Sequence, residues 1–218
     1  MNNFIVAVDG PAGSGKSTIS KLVAEKYKLT YLDTGAMYRM VAFYSLEKGV
    51  NLDNPREVEL MLENIKIDIE GDKFILNGVD VSNEIRTLRV TSIVSKTASI
   101  KAVREKLVEL QREISNGKRV ILDGRDIGTV VFPNAHLKVF LVASPEERAK
   151  RRLKEYEEKG IKSDYESVLD SIKERDRLDS TREESPLKKA DDAIEVDTSF
   201  LSIEEVSDKI SALIRERI

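Results

Sequence analysis

Short apolar runs alternate along the chain with segments in which apolar residues recur at helical spacing. Residues 4–9, 119–123 and 137–142 are almost continuously apolar, which is typical of strands buried on both faces of a sheet. Residues 31–33 and 194–197 predict two shorter strands. Because strands and helices alternate, the pattern predicts an α/β fold with a parallel sheet wrapped by helices.

Capping signals predict where several helices begin and end. Helices are expected at residues 17–27, 37–48, from Pro55 onward and 90–116. Gly49 and Gly117 are expected to end two of them, and Asn54 to cap the start of another, with Glu57 three residues later. Ser-x-x-Glu capping boxes open later helices at Ser144, Ser163 and Ser202.

Residues 65–81 depart from this alternation of strands and helices. Residues 65–69 alternate apolar and polar positions, and residues 73–76 and 79–81 flank the dipeptide Asn77-Gly78. Two short strands joined by Asn-Gly, beside a third, predict a small antiparallel sheet. We interpret it as an insertion with its own minor core.

Composition narrows the class of protein. The 218 residues fit one globular unit with insertions, and 40% hydrophobic with 34% charged residues is a globular balance. A net charge of −3 argues against a dedicated nucleic-acid binder. The absence of Cys and the single His136 exclude thiolate sites and sites with several His ligands.

Nothing in the sequence resembles a targeting or membrane segment. Residues 1–9 lack the basic region of a signal peptide, and no apolar run approaches the ~18 residues of a membrane span. We therefore expect a cytoplasmic protein that acts as a monomer without a nucleic-acid or membrane partner.

Residues 10–17 match the pattern G-x-x-x-x-G-K-[ST] between a predicted buried strand and a predicted helix. Glycines there let successive backbone N–H groups turn toward a phosphate, next to the positive end of a helix. Lys16 would bridge the β- and γ-phosphates, and Ser17 would place its hydroxyl on Mg²⁺. A chance glycine-rich turn is the alternative. The predicted ATP-binding residues are Gly10, Pro11, Ala12, Gly13, Ser14, Gly15, Lys16, Ser17 and Thr18.

A phosphate loop alone does not distinguish switches, motors and kinases. The chain has no Asn-Lys-x-Asp guanine-reading motif and no basic track for a nucleic acid. Its arginines lie instead in discrete places, several after predicted strands or on late helices, where the ends of a parallel sheet would gather them round one cleft. Phosphoryl transfer needs such cations, because it is catalysed mainly by positioning and charge stabilisation.

Each group of arginines could instead lie on the protein surface without binding a substrate. Residues 146–152 and 174–179 could form solvated helix faces with intrahelical ion pairs. The segment Asp123-Gly124-Arg125-Asp126-Ile127-Gly128 is different, since charged residues beside two glycines at the end of a buried strand are poorly explained by solubility.

Several segments together resemble the bacterial cytidylate kinases. The resemblance rests on residues 9–18, on Tyr31-Leu32-Asp33-Thr34-Gly35-Ala36-Met37-Tyr38-Arg39, on residues 81–86 and 123–133, and on Arg175-Asp176-Arg177 with Asp179 and Arg182. It covers nearly the whole chain in the expected order. Residues 123–126 and the β-rich insertion are its specific parts.

The resemblance implies a P-loop NTPase fold with a five-stranded parallel sheet of order 2-3-1-4-5. It also implies an organisation of a core (about 1–36, 117–147 and 180–218), a monophosphate-binding insertion (about 37–116) and a short lid (about 148–165). The reaction would be ATP with CMP or dCMP, giving ADP with CDP or dCDP, with Mg²⁺. The substrates ATP and CMP or dCMP would be the only partners.

The resemblance also implies roles for single residues. Arg39 and Arg125 would hold the acceptor phosphate, with Lys16 and Arg182 completing the catalytic cations. The implied CMP-binding residues are Thr34, Arg39, Ser95, Arg104, Arg125, Asp126, Arg175 and Asp179. Asp126 would accept from the exocyclic amine of cytosine, where uracil offers a carbonyl. The implied lid cations are Arg148, Arg151 and Arg152.

Three questions stay open at this level. The acceptor could be another small molecule, or the chain could be a regulatory module that binds ATP without transferring phosphate. Asp123 and Asp33 are equal candidates for ordering the waters of Mg²⁺.

Overall fold

A computed structural model describes residues 3–158 and 160–218. Positions 1 and 2 of the predicted core and position 159 of the predicted lid lie outside the described residues. The chain forms two compact units: the first comprises the residues up to Leu32 and from Ser115 onward, and the second comprises Asp33–Ile114.

The helices and strands follow one another in the order that the sequence predicts, except that two helices replace the single one expected over residues 90–116. In chain order they are β1 (Phe4–Asp9), α1 (Lys16–Tyr27), β2 (Thr30–Asp33), α2 (Thr34–Lys48), α3 (Pro55–Glu63), β3 (Ile67–Glu70), β4 (Lys73–Leu76), β5 (Val79–Asp80), α4 (Leu88–Ser99), α5 (Lys101–Ser115), β6 (Arg119–Gly124), β7 (Leu137–Val142), α6 (Pro145–Glu158), α7 (Tyr165–Thr181), β8 (Ile194–Asp197) and α8 (Ile203–Arg215). A short 3-10 helix (Glu84–Arg86) precedes α4, and a π-helical turn (Ile127–Val131) follows β6.

The first unit is built on a five-stranded sheet in the order β2-β6-β1-β7-β8. Counting only these five strands along the chain, the order is 2-3-1-4-5. β1 pairs in parallel with β6 and β7, and β7 with β8. All six residues of β1 are buried because helices cover both faces of the sheet, and Val6, Ile121 and Leu141 lie in one core with Ile210 of α8. The predicted α/β fold is confirmed.

The second unit contains α2, α3, α4 and most of α5 with a small sheet. Strands β3, β4 and β5 pair antiparallel, as the residue pattern predicts. Asn77 and Gly78 both have positive φ, of 50° and 82°, as a tight two-residue hairpin turn requires. Gly49 ends α2 in the left-handed conformation and Asn54 caps α3, so both predicted helix boundaries are confirmed.

The single helix predicted over residues 90–116 is wrong, because Ile100 separates α4 from α5. Its backbone is extended, with φ −80° and ψ 120°. The guanidinium of buried Arg104 donates to the carbonyl of Ala98 at 3.0 Å, so a side chain occupies an acceptor that a continuous helix would offer to a backbone N–H. Apolar periodicity continues across such a break and therefore does not reveal it.

Of the three predicted capping boxes, one is absent and one is only half formed. Asp164, not Ser163, caps α7, because its carboxylate accepts both the N–H and the hydroxyl of Ser167. The Ser144 hydroxyl accepts from the N–H of Glu147, but the Glu147 carboxylate binds Lys150, so half of that box is present. The box at Ser202 is complete. Among the described residues, no helix is both long and apolar enough to cross a membrane.

Candidate active site

The phosphate loop, residues 10–17, joins β1 to α1 with three glycines in backbone conformations that other residues rarely adopt. Gly10, Gly13 and Gly15 have φ of 148°, 78° and 88°. A Cβ on Gly10 would lie 2.1 Å from the carbonyl oxygen of Leu141, so this position also requires glycine for space. The loop is therefore a rigid turn at the N-terminus of a helix, where unpaired N–H groups favour an anion.

Lys16 is buried at the first position of α1. Its Nζ donates to the carbonyl of Pro11 at 2.7 Å and to the hydroxyl of Ser14 at 3.4 Å. Burial, and then the charge of Arg125, lowers the pKa of Lys16 well below its usual value, against the attraction of Asp123. An anion bound beside Lys16 would favour its charged form, so the charge of this group is matched to a phosphate.

Ser17 and Asp123 form a hydroxyl–carboxylate pair beside this loop. The hydroxyl of Ser17 donates to Asp123 Oδ2 at 2.8 Å, and the hydroxyl of Tyr31 donates to Oδ1 at 2.8 Å. These are the oxygen donors that Mg²⁺ prefers when substrate phosphates supply further ligands. In the described part of the chain, no cluster of three or more His, Cys, Asp or Glu residues could hold a metal ion by itself.

Asp33, the other carboxylate considered for Mg²⁺, has a different role in its own unit. Its Oδ1 accepts from the N–H of Ala36 at the start of α2, and its Oδ2 lies 3.4 Å from Arg86. One oxygen of Asp33 thus caps a helix and the other forms an ion pair, whereas Asp123 accepts directly from the hydroxyl of Ser17. The contact with Ser17 favours Asp123 over Asp33 as the carboxylate that orders the waters of Mg²⁺.

Asp9 lies at the end of β1, and its side chain hydrogen-bonds to the π-helical turn. Its buried carboxylate accepts from the N–H of Ile127 at 2.8 Å and of Gly128 at 2.7 Å. Burial raises the pKa of Asp9 to about 7, although both hydrogen bonds oppose the shift. We did not single out Asp9 from the sequence; a charged residue that ends an apolar strand was the available signal.

A second group of charges, which we call the arginine cluster, consists of Arg125, Asp126, Arg175, Asp179 and Arg182. Arg125 Nε lies 2.9 Å and Arg175 Nε 4.0 Å from Asp179 Oδ2, and Arg182 lies 3.9 Å from Asp126. Burial alone would raise the pKa of Asp179, but the charges of Arg125 and Arg175 hold it below its usual value. The structure thus brings together five residues that the sequence places up to 57 positions apart (182 − 125).

The arginine cluster lies close enough to the phosphate loop to act on it electrostatically. Arg125 and Arg175 both lower the pKa of Lys16. Three cations in one region are mutually unfavourable unless anions separate them, and Asp179 and Asp126 supply two. The arrangement is therefore suited to take up further negative charge.

The three predicted lid cations lie in different surroundings. Arg148 is buried and binds Asp176 through both terminal nitrogens, at 3.0 and 2.6 Å, which excludes the solvated helix face for this residue. Arg151 donates to the hydroxyl and the carbonyl of Thr198. Arg152 is half-buried and pairs with Glu155. By contrast, Arg177 pairs with Glu174 on an exposed face, as the surface interpretation predicts.

In the second unit, α2 carries two of the predicted CMP-binding residues. Thr34 is buried at its first position, and Arg39 donates to Thr91 Oγ1 at 2.9 Å and to the Ile85 carbonyl at 3.4 Å. The guanidinium of Arg104 lies 5.3 Å from the ring centroid of Tyr38, which precedes Arg39. The unit therefore brings Arg104 next to α2.

Ser95 is half-buried on α4. Tyr38 and Arg86 are partners of predicted residues that the sequence did not single out. Arg86 pairs with Asp33 and lies over the ring of Phe74. Both residues belong to the segments that carry the resemblance, and this was the only signal for them.

Similarity to known proteins shows which family the chain belongs to. The family model described as cytidylate kinase matches residues 6–216. Proteins named cytidylate kinase from Fusobacterium nucleatum and Clostridioides difficile are 62% and 50% identical to it; the first match covers 99% of each chain, and the second covers 96% of this chain and 97% of the other. A solved shikimate kinase from Bacteroides thetaiotaomicron, 13% identical over 97% of this chain and 98% of its own, has a TM-score of 0.50 and shares the fold. The chain belongs to the cytidylate kinase family, a family of nucleoside monophosphate kinases, and is a transferase.

Proposed function

We propose that this protein transfers the γ-phosphoryl group of ATP to CMP or dCMP and so serves pyrimidine nucleotide metabolism. One observation carries the proposal: buried Lys16 of the phosphate loop lies within electrostatic reach of guanidinium groups that are held by carboxylates. Family membership, with relatives named cytidylate kinase, supports the choice of acceptor.

The phosphate loop would bind the triphosphate. Backbone N–H groups and the start of α1 would hold the β-phosphate, and the Nζ of Lys16 would move from the carbonyl of Pro11 to the phosphate oxygens. Ser17 and Asp123 would hold Mg²⁺, the hydroxyl as a ligand and the carboxylate through water. The ion would supply charge neutralisation for the transferred group.

The arginine cluster would bind the acceptor. Arg125 would bind the acceptor phosphate, and Arg182 would neutralise charge on the transferred group. Asp179 would keep Arg125 and Arg175 oriented through the ion pairs that the structure describes, and would contact the acceptor ribose. Among the residues of the second unit, we propose Arg39 as a ligand of the acceptor phosphate, and Thr34, Ser95 and Arg104 as further acceptor-binding residues.

The chemical step needs no general base. An oxygen of the acceptor phosphate is already anionic at neutral pH, so it attacks the γ-phosphorus directly. A P–O bond to the acceptor forms as the bond to the β-phosphate oxygen breaks, and ADP leaves with that electron pair. This accounts for a site built from cations and backbone donors without Cys or catalytic His.

A panel of acceptors tests the proposal. ADP release from ATP and Mg²⁺ is measured with CMP, dCMP, UMP, AMP, GMP and shikimate, and we expect the largest kcat/KM with CMP or dCMP. A preference for another acceptor would overturn the cytidine assignment. Tight ATP binding without stimulation by any acceptor would favour the regulatory module.

Replacement of Asp126 tests base recognition separately. In Asp126→Ala we expect the ratio of kcat/KM for CMP over UMP to fall by about tenfold or more, because one charge-assisted hydrogen bond to cytosine is lost. An unchanged ratio would mean that the base is read elsewhere. The monomeric state and the cytoplasmic location expected from the sequence stay predictions.

A further inference from the structure

Helix α6 and the segment after β8 contact two carbonyl groups of the phosphate loop. Arg148 of α6 donates through Nη1 to the carbonyl of Ala12 at 3.1 Å. The hydroxyl of Thr198 lies 3.2 Å from the carbonyl oxygen of Ser14 and 3.1 Å from that of Val142, so these two acceptors share its one proton. Two alternate carbonyl groups of the loop therefore have donors from elsewhere in the same unit.

The direction of these carbonyls fixes the direction of the adjoining N–H groups. In a trans peptide the C=O and the following N–H point in opposite directions, and the chain has no cis peptide among its described residues. Because the carbonyls of Ala12 and Ser14 face their donors, the N–H groups of Gly13 and Gly15 face away from them. These are the two glycines whose freedom of φ lets the loop turn its N–H groups to one side.

Each donor is itself held in place. The Nε of Arg148 donates to the carbonyl of Ala143, and both its terminal nitrogens bind Asp176 of α7, so its fork has only one orientation. Thr198 is buried, its N–H donates to the carbonyl of Val142, and Arg151 donates to its hydroxyl and carbonyl oxygens. A donor fixed in this way can hold a peptide group rather than follow it.

We propose that Arg148 and Thr198 are positioning residues that hold the N–H groups of Gly13 and Gly15 in the orientation that receives the phosphates of the donor nucleotide. This inference rests on the proposed use of the phosphate loop for ATP. It assigns Arg148 to the rear of the phosphate loop rather than to contact with substrate, and it gives Asp176 a role as the residue that orients Arg148.

Thr198→Val is the most direct test, because it removes the hydroxyl and keeps the shape of the side chain. We expect KM for ATP to rise about tenfold, the loss expected when a buried carbonyl is left without its donor, while KM for CMP stays close to wild type and the thermal midpoint falls by only a few degrees. Thr198→Ser keeps the hydroxyl and is expected to restore the wild-type KM for ATP.

Arg148→Lys provides a second test that keeps the charge but loses the fork. A lysine cannot bind Asp176 at two points and also reach Ala12 and Ala143, so we expect KM for ATP to rise about tenfold or more. Circular dichroism and thermal unfolding report whether each variant is folded. Should Arg148→Lys fail to fold, Thr198→Val still decides the question.

The outcomes are distinct. Equal KM for ATP in the wild type and in folded Thr198→Val would overturn the proposal, as would a rise in the KM values for ATP and CMP by the same factor. If the wild type itself shows no ADP release on addition of an acceptor, the proposed function fails. Equilibrium binding of ADP to the same variants then tests the positioning role by itself, with the same expected tenfold loss from one hydrogen bond.

Discussion

The phosphate loop and the arginine cluster lie in one unit and both attract phosphate, but by different means. The loop uses neutral backbone N–H groups whose direction is set by glycine conformations and by the donors behind Ala12 and Ser14. The cluster uses charged side chains whose direction is set by ion pairs with Asp126 and Asp179. The loop should therefore be sensitive to changes of backbone shape, and the cluster to loss of its carboxylates or of the guanidinium fork.

The largest effect is expected at Lys16, where the two regions meet electrostatically. Lys16→Met removes the cation that neutralises the transferred group, and we expect kcat to fall by about 1000-fold in the ADP-release assay. Lys26→Met, on the same helix and exposed beside Asp208, is the control and should leave kcat near wild type. A small loss at Lys16 would mean that the loop binds no reacting phosphate.

Arg125→Lys tests the cluster without changing its charge. A lysine cannot present the guanidinium fork to both Asp179 and a phosphate, so we expect kcat/KM for CMP to fall by about 100-fold. Arg177→Lys on α7 is the matched control, because Arg177 pairs with Glu174 on an exposed face. If both variants behave alike, charge alone accounts for the cluster and the fork has no role.

Gly13→Ala tests the dependence of the loop on backbone shape. The added Cβ would lie 3.3 Å from Cβ of Arg148 at a φ of 78°, and we expect KM for ATP to rise about tenfold from strain of 1–2 kcal/mol. Gly71→Ala carries similar strain, at a φ of 62°, in a turn where an added Cβ meets nothing within 4 Å. It should lower thermal stability and leave KM for ATP unchanged. An equal rise in both variants would contradict a local role of the loop shape.

Asp9 connects the two regions, and its pKa of about 7 predicts a specific dependence of stability on pH. Between about pH 4 and 7 the folded protein holds a proton that the unfolded chain has released, so the free energy of unfolding should fall by up to about 1.4 kcal/mol per pH unit from this group. Asp126 and Lys16 are the charged groups that act on Asp9, with opposite sign.

Urea unfolding of the wild type and of Asp9→Asn over this pH range isolates the contribution of Asp9. The asparagine cannot accept from both Ile127 and Gly128, so the variant should be less stable than the wild type near pH 4. The difference between the two proteins should shrink as pH rises toward 7. A constant difference would show that Asp9 is ionised throughout.

Contiguous signals in the sequence indicated several of the candidate site residues. Lys16 and Ser17 lie in one motif between a strand and a helix, and Arg125 and Asp126 follow directly on the strand β6. Their position at the end of a predicted strand is readable from the sequence, and the ends of neighbouring parallel strands meet at one edge of the sheet.

Pairings between distant segments were not predictable from single positions. Arg148 and Asp176 are 28 residues apart, and each looks like an ordinary charge on a polar helix until α6 and α7 pack together. Where Ile100 separates α4 from α5, the side chain of Arg104 donates to the carbonyl of Ala98. Neither periodicity nor spacing indicates such side-chain contacts.

The most direct test of the account follows the transferred group itself. The wild type is incubated with Mg²⁺, CMP and ATP labelled in the γ-phosphate, and the products are separated by chromatography. We predict that the label appears in the β-phosphate of CDP in step with the formation of ADP. Label recovered only as inorganic phosphate, with CMP unchanged, would contradict the proposal that the two regions bring a donor and an acceptor phosphate together.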